Sequence, residues 1–482
     1  MKNISCKILF LLTALAVALS SCIEDGYTSS PSDQPAFSTD TLALGVVFTD
    51  QVTPTSKMLV FNPHSKSLNI SRIAVSGQDA DCFRINVDGM TGTTFENTEI
   101  RSRDSIFVMV EATLPENGAD TPVRVEASLD FTTNGVTRSV VLTADGQNVT
   151  RLHAVTLDEN HRFTAGRPYQ IFDSLVVPEG ITMTVEAGAN LLFHDKSSLI
   201  VRGTLITEGT PEQRVTLAGD RTGILVGDIG FDIMSRQWTG VFFTSTSAGN
   251  VLSHTDIKNT VQGVAIAGPQ QAAPAPQTDD WQLDMVNCRL RNSAYTVLEG
   301  YHAAVRAVGC EFAEGGGGLV FLNGGTAVFN HCTFANYYLF SVLDGPALGF
   351  AHISSDPETG LDDGSGLPYL AADISNSIIY GNGTGFSHGD LTGTQIFLRR
   401  CLIKGEGEDD DNFLNTIWDE DPLYYTVREE YFFDYRLKPE SPAIGAADPA
   451  LTLPRAASDG YGYLRGTTPD LGAYVFVAPQ QD

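Results

Sequence analysis

The chain has 482 residues, 18% of them charged, and its 58 acidic side chains outnumber 30 basic ones to leave a net charge of −28. That imbalance repels nucleic acid and anionic lipid, so neither is expected as a partner, and a polyanionic glycan is disfavoured unless calcium or a local Arg/Lys cluster intervenes. The acidity suits the solubility of an exported protein.

Lys2 and Lys7 flank the start of an apolar run from Ile8 to Leu19, too short to span a bilayer and suited to the core of a signal peptide. The run ends in Leu19-Ser20-Ser21-Cys22, which resembles a bacterial lipobox. The resemblance implies cleavage before Cys22, acylation of its thiol and attachment to a membrane through that lipid; an ordinary leader with an incidental cysteine is the alternative. Ile23-Glu24-Asp25 then resembles the surface-export signal of Bacteroidetes lipoproteins, which implies an outer-membrane protein facing the cell exterior. Residues 1–21 are therefore read as a leader, and residues 22–40, rich in Ser, Pro and Asp, as an acylated N-terminus and tether. No other segment is long and apolar enough for a transmembrane helix.

Residues 41–150 read as an antiparallel β-sandwich, with strands at Lys57–Phe61, Ser105–Val110 and Ser139–Leu142. Turn signals stand at Asn62-Pro63, Asp88-Gly89, Asn134-Gly135 and Asp145-Gly146. Phe61-Asn62-Pro63, Leu68-Asn69-Ile70, Phe83-Arg84-Ile85 and the ending Leu129-Asp130-Phe131…Leu142-Thr143-Ala144 resemble immunoglobulin-like domains of the ASPM–SPD-2–Hydin type. Such domains serve as spacers or bind proteins, and no catalytic role follows.

Residues 151–417 repeat. Cys288, Cys310 and Cys332 are 22 residues apart, each in a similar frame: Asn287-Cys288-Arg289-Leu290, Gly309-Cys310-Glu311-Phe312, His331-Cys332-Thr333-Phe334. The frame recurs around Thr255, Ser377 and Cys401. A period of this length without helical patterning predicts a stacked β-coil. Apolar residues five and three before the cysteine alternate inward, as do the cysteine and the residue two beyond it, so the chain must turn a corner between them. His254, Asn287, Gly309, His331 and Asn376 occupy that corner, and they are types that tolerate left-handed backbone. A second corner is expected at Asn259, Asn292, Asn336, Gly381 and Gly405. Cys82, Cys288, Cys310, Cys332 and Cys401 remain after the leader and the lipid anchor; an odd number at solenoid spacing argues against a disulfide framework and for a stacked thiol column. Two segments, Gly268–Asp280 and His352–Pro368, break the period and are expected to loop from the flank. The run Gly315–Gly318 marks a tight bend.

Residues 418–482 read as a cap over the open end of the coil, blocking edge pairing. Asp173-Ser174-Leu175-Val176-Val177-Pro178-Glu179-Gly180, Gln237-Trp238-Thr239-Gly240, Ser441-Pro442-Ala443-Ile444-Gly445 and Asp470-Leu471-Gly472-Ala473-Tyr474 together resemble Bacteroidetes right-handed β-helix lipoproteins of the pectin-lyase-like fold. The implied fold is all-β: an N-terminal immunoglobulin-like β-sandwich, then a right-handed parallel β-helix with a C-terminal cap. The family often places Glu after the last tyrosine; here it is Val475, so any role of that acid is lost.

The chemistry is less legible. Arg289 and Glu311 stand in equivalent outward positions one rung apart, either as a surface ion pair, the reading favoured here, or as part of a lyase site. His388 is a third candidate, isolated in Ser387-His388-Gly389-Asp390; that segment and Asp279-Asp280 are only weak echoes of the close aspartates and Gly-His-Gly of polygalacturonases, and the match is taken as absent. Trp281, Tyr337 and Tyr338 are candidates for stacking on sugar rings. No cofactor is expected; the acidic run Glu406–Asp411 reads as a solvated loop, because no ligand spacing is visible, with calcium binding as the alternative. The favoured reading is a non-catalytic surface lipoprotein whose β-helix binds a polysaccharide or an envelope protein. A polysaccharide lyase or hydrolase acting on the flank, and an adhesin or structural rod, are the alternatives.

Overall fold

The computed structural model describes residues 26–226, 229–268, 280–351, 370–389, 391 and 394–478. The chain divides into two compact units at Asn148/Val149.

The first unit is an immunoglobulin-like sandwich of two five-stranded sheets. In one, Ser56–Phe61 and Phe83–Val87 flank Ser105–Ala112 antiparallel. Ile106, Val108, Val110 and Ala112 alternate inward along that central strand, as a half-buried strand requires. The other sheet pairs Val123–Thr133 with Val136–Gln147 through Asn134-Gly135. Both residues of that two-residue turn have positive φ, 53° and 78°, the twist that a tight hairpin needs. Asp145-Gly146, expected to turn, instead lies within the strand and faces Arg124 and Val123. There Thr41–Phe48 adds in parallel with a register shift between Thr143 and Asp145, so a bulge absorbs the local irregularity.

The second unit is a parallel β-helix with three faces. Face I stacks Val215–Gly219, Thr255–Lys258, Arg289–Ser293, Glu311–Gly315, Thr333–Asn336, Ile378–Gly381 and Leu402–Ile403 in parallel register. Face II includes Ser198–Val201, Gly240–Phe243 and Val264–Ala267, and face III includes Asn250–Ser253, Leu283–Val286 and Ala371–Ser375. One core of Leu, Val, Ile and Phe runs inside, with Cys288, Cys310, Cys332 and Cys401 fully buried in it. The thiols are free and stacked; Cys310 Sγ accepts the Cys288 N–H at 3.4 Å.

The corner between faces III and I is left-handed at His254, Asn287, Gly309, His331, Asn376 and Arg400. The next corner is left-handed at Asn259, Asn292, Gly381 and Gly405, but Asn336 departs from the expectation. Its side chain serves the bend instead, donating to the Gly315 carbonyl at 2.8 Å. The same position in the Cys310 rung is Glu314, at φ 59°. Gly315 and Gly318 do make a tight bend: a Cβ on Gly315 would sit 2.0 Å from the Gly318 carbonyl oxygen. Of the two period-breaking segments, residues 269–279 and 352–369 lie outside the described residues, Asp279 among them.

The closing segment packs as a strap along face I. Tyr424, Tyr435, Leu437, Leu471 and Ala473 pack on Ala313, Ala335, Ile378 and Leu402, which are flank residues of face I. From Asp448 onward the strap runs back down the corner. The Asp448 carbonyl accepts from Asn376, Leu451 carbonyl from Asn330, Thr452 meets His331, Arg455 pairs with Asp284, and the Gly460 carbonyl faces Arg214. Side-chain amides and imidazoles at left-handed corners thus become the strap's anchorage.

Candidate functional site

Parallel in-register stacking aligns outward side chains of successive rungs about 4.8 Å apart. On face I one column reads Asp256, Arg289, Glu311, Thr333, and the column two residues on reads Lys258, Arg291, Ala313, Ala335. The strap lays Phe433, Tyr435, Tyr461 and Tyr474 over these columns. Between them lies a cavity of roughly 270 Å³ whose lining includes Asp256, Lys258, Arg289, Arg291, Glu314 and Phe433.

Glu311 is fully buried, not on the surface as the ion-pair reading required. Its partner is Arg291, whose Nη2 donates to Oε2 at 2.8 Å, and the Tyr474 hydroxyl donates to the same oxygen. Arg289, directly opposite Glu311 in register, is turned elsewhere. Its guanidinium carbon lies 4.7 Å from the Tyr461 ring centroid and 5.9 Å from that of Tyr474. Its Nε and Nη2 are buried and have no hydrogen-bond partner. Burial opposes the charge on Arg289, but the neighbouring carboxylates of Asp256 and Glu311 favour it, and the guanidinium stays protonated. The result is a cation with unused donors beside a small cavity.

Glu314 is the residue that reading the repeat missed. It is 3% exposed and holds a left-handed backbone that glutamate rarely adopts. Its Oε1 accepts from the Tyr435 hydroxyl and from the Tyr337 N–H, the latter at 3.1 Å. Burial pushes its carboxyl up to about 7, against the pull of those two hydrogen bonds and of Arg291. A signal was available: at the corner position where other rungs carry Asn or Gly, this rung carries an acid.

The remaining candidates are dispersed. Tyr337 packs against Tyr424 and Tyr435 under the strap. Tyr338 is 2% exposed with its hydroxyl on Ser235, so it offers no ring face to a sugar. Trp281 stands two residues before the face III strand Leu283–Val286, with Arg306 5.3 Å from its ring centroid. His388 is exposed in a separate groove of roughly 660 Å³ at the last rungs, with Phe386, Phe413 and Trp418. Two acids of the run beside it serve turns: Asp410 accepts the N–H groups of Asn412 and Phe413, and Asp409 those of Asn415 and Thr416. Among the described residues no group of three or more His, Cys, Asp or Glu is arranged to hold a metal ion. Cys22, Glu24 and Asp25 lie outside the described residues.

No family model matches the chain, and no curated protein matches its sequence. Solved structures match over about a quarter of it. A family 123 glycoside hydrolase from Clostridium perfringens is 10% identical over 25% of this chain and 30% of its own, with a TM-score of 0.18. A protein of unknown function from Porphyromonas gingivalis is 14% identical over 26% of this chain and 60% of its own, with a TM-score of 0.18. The PapD-like domain 7 of human CEP192 is 10% identical over 25% of this chain and 89% of its own, also at 0.18. The chain thus spans less than two thirds of the first two. Overlaps this small assign no activity.

Proposed function

We propose that this chain is a carbohydrate-binding protein of the bacterial cell envelope, and that the cleft beneath the strap takes a carboxylated sugar. The observation that carries the reading is Arg289, whose Nε and Nη2 are buried without acceptors beside a cavity also lined by Lys258 and Arg291. A carboxylate supplies two acceptor oxygens in the geometry that a guanidinium fork matches. The overall acidity of the chain disfavours polyanions, and Asp232, Asp256 and Glu314 also line this cavity; Lys258 and Arg291 are paired with Asp232 and Glu311, so Arg289 is the cation left to meet such a ligand. Anchorage through a lipid on Cys22, with the β-helix facing outward, belongs to the same proposal and rests on the lipobox and on Glu24-Asp25.

The test is calorimetric titration of the chain from Gly26 onward with uronate-containing and neutral oligosaccharides. Binding is expected for the uronates, with a loss of about 10-fold or more in Arg289→Met, the size of a charge-assisted hydrogen bond. Equal binding by Arg289→Met, or a preference for neutral sugars, would sink the reading. Incorporation of labelled palmitate into the whole chain, abolished by Cys22→Ala, tests the anchor.

A further inference from the structure

Glu314 is more than a brace for the strap. A brace that only accepted hydrogen bonds would be served by an amide, which needs no ionisation and tolerates left-handed backbone better when it is asparagine. Glutamate at this corner adds one thing, an exchangeable proton. Because Oε1 already accepts from the Tyr435 hydroxyl and the Tyr337 N–H, the proton of the neutral acid is left to Oε2. The residue lines the same cavity as Arg289 and is otherwise buried.

We propose that Glu314 is the proton donor of a glycoside-cleaving site, acting on the sugar whose carboxylate Arg289 holds. The inference rests on the binding reading above. In the step, Oε2 gives its proton to the bridging oxygen of the glycosidic bond. The bond from that oxygen to the anomeric carbon breaks, and its electron pair stays on the oxygen, which leaves as an alcohol. Water forms the new bond to the anomeric carbon, and its surplus proton returns to the Glu314 carboxylate. Glycoside and water become two hydroxyl-bearing products, and the acid is regenerated.

The groups that set this proton's behaviour come from each element around it. Arg291 and Glu311 stand on the rungs, Tyr337 and Tyr435 donate to Oε1, and Asp232, Asp256, Lys258 and Arg289 line the cavity. The carboxyl must be protonated to act, so cleavage is expected to fall as pH rises through about 7.

The experiment uses the chain from Gly26 onward and the uronate oligosaccharide that binds it most tightly. Binding and the appearance of new reducing ends are measured on the same samples across neutral pH. Wild type is expected to bind and to release reducing ends. Glu314→Gln, which keeps the acceptor for Tyr435 and Tyr337, is expected to bind comparably and to cleave about 100-fold more slowly or worse. Tyr435→Phe removes a hydrogen bond that favours the ionised form, so the alkaline fall in cleavage is expected to move to higher pH; this readout does not depend on the Gln variant folding. Binding without new ends at any pH overturns the proposal and leaves the binding reading standing. Unsaturated ends in place of plain reducing ends overturn the hydrolytic step. Failure of every uronate to bind overturns both.

Discussion

The burial of Glu314 makes a prediction about stability that needs no ligand. In the folded chain this carboxyl holds its proton up to about 7, whereas in the unfolded chain it titrates near the ordinary 4.5. Between those values the unfolded state releases a proton that the folded state keeps, so stability falls as pH rises. The contribution is fully present below about 4.5 and lost above about 7. At about 1.4 kcal/mol per pH unit the window amounts to about 3 kcal/mol. Glu314→Gln has no proton to release and no such dependence. The assay is urea unfolding of both proteins at closely spaced pH, followed by tryptophan fluorescence. Trp238, Trp281 and Trp418 are the three tryptophans of the chain, and all lie in the β-helix unit, so the sandwich does not contribute. His254 and His331 also change stability with pH, but they are present in both proteins and cancel in the difference. Wild-type stability minus that of the Gln variant should decline between about pH 4.5 and 7 and be flat on either side. A flat difference throughout, or one that rises with pH, would refute a buried neutral acid at this corner.

His331 should act with the opposite sign. Burial drives its imidazole down to about 2, so the folded chain keeps it neutral while the unfolded chain binds a proton below 6.5. Stability is therefore lost as pH falls below 6.5, by about 2 kcal/mol at about pH 5. His331→Asn keeps a residue that tolerates the left-handed corner, and its urea midpoint should fall less between neutral and acid pH. For the thiols, burial pushes Cys332 and Cys401 up to about 12, and Cys288 and Cys310 are as deeply enclosed. A maleimide should label the native chain from Gly26 onward at the half-buried Cys82 alone and reach the other four on unfolding; rapid native labelling of the column would contradict the packing. Gly240→Ala should destabilise the β-helix by about 3 kcal/mol, because φ is 138° and a Cβ would lie 2.3 Å from the Gly263 carbonyl oxygen. An unchanged unfolding midpoint would show that the turn can shift.

Much of the coil was legible because its corners are a local matter. Left-handed backbone selects Asn, His and Gly wherever it occurs, so Asn287, Gly309, His331 and Asn376 announce the bends one residue at a time. Interactions that depend on reach or on distant segments were not legible. Arg289 and Glu311 are register partners, as the repeat implies, yet the carboxylate goes to Arg291 because Tyr461 and Tyr474 from the strap occupy the space over Arg289. Tyr338 reads as a candidate for stacking on a sugar, but its hydroxyl meets Ser235 and its ring is buried. Asp145-Gly146 has the composition of a turn, and pairing with strands on both sides overrides it. Burial of Glu311 and Glu314 likewise follows from a segment that the repeat does not contain.

The strap also measures the coil. Its successive residues meet Asn376, then Asn330 and His331, then Asp284, then Arg214, each on a different turn of the stack. Duplicating one turn between Arg214 and Asn376 would displace every later contact by about 4.8 Å, beyond the tolerance of a hydrogen bond. A plain solenoid can lengthen by copying its unit; this one cannot do so here without a matching insertion in the strap. The number of turns over this stretch is therefore inherited as a fixed quantity, like the notches on a tally stick.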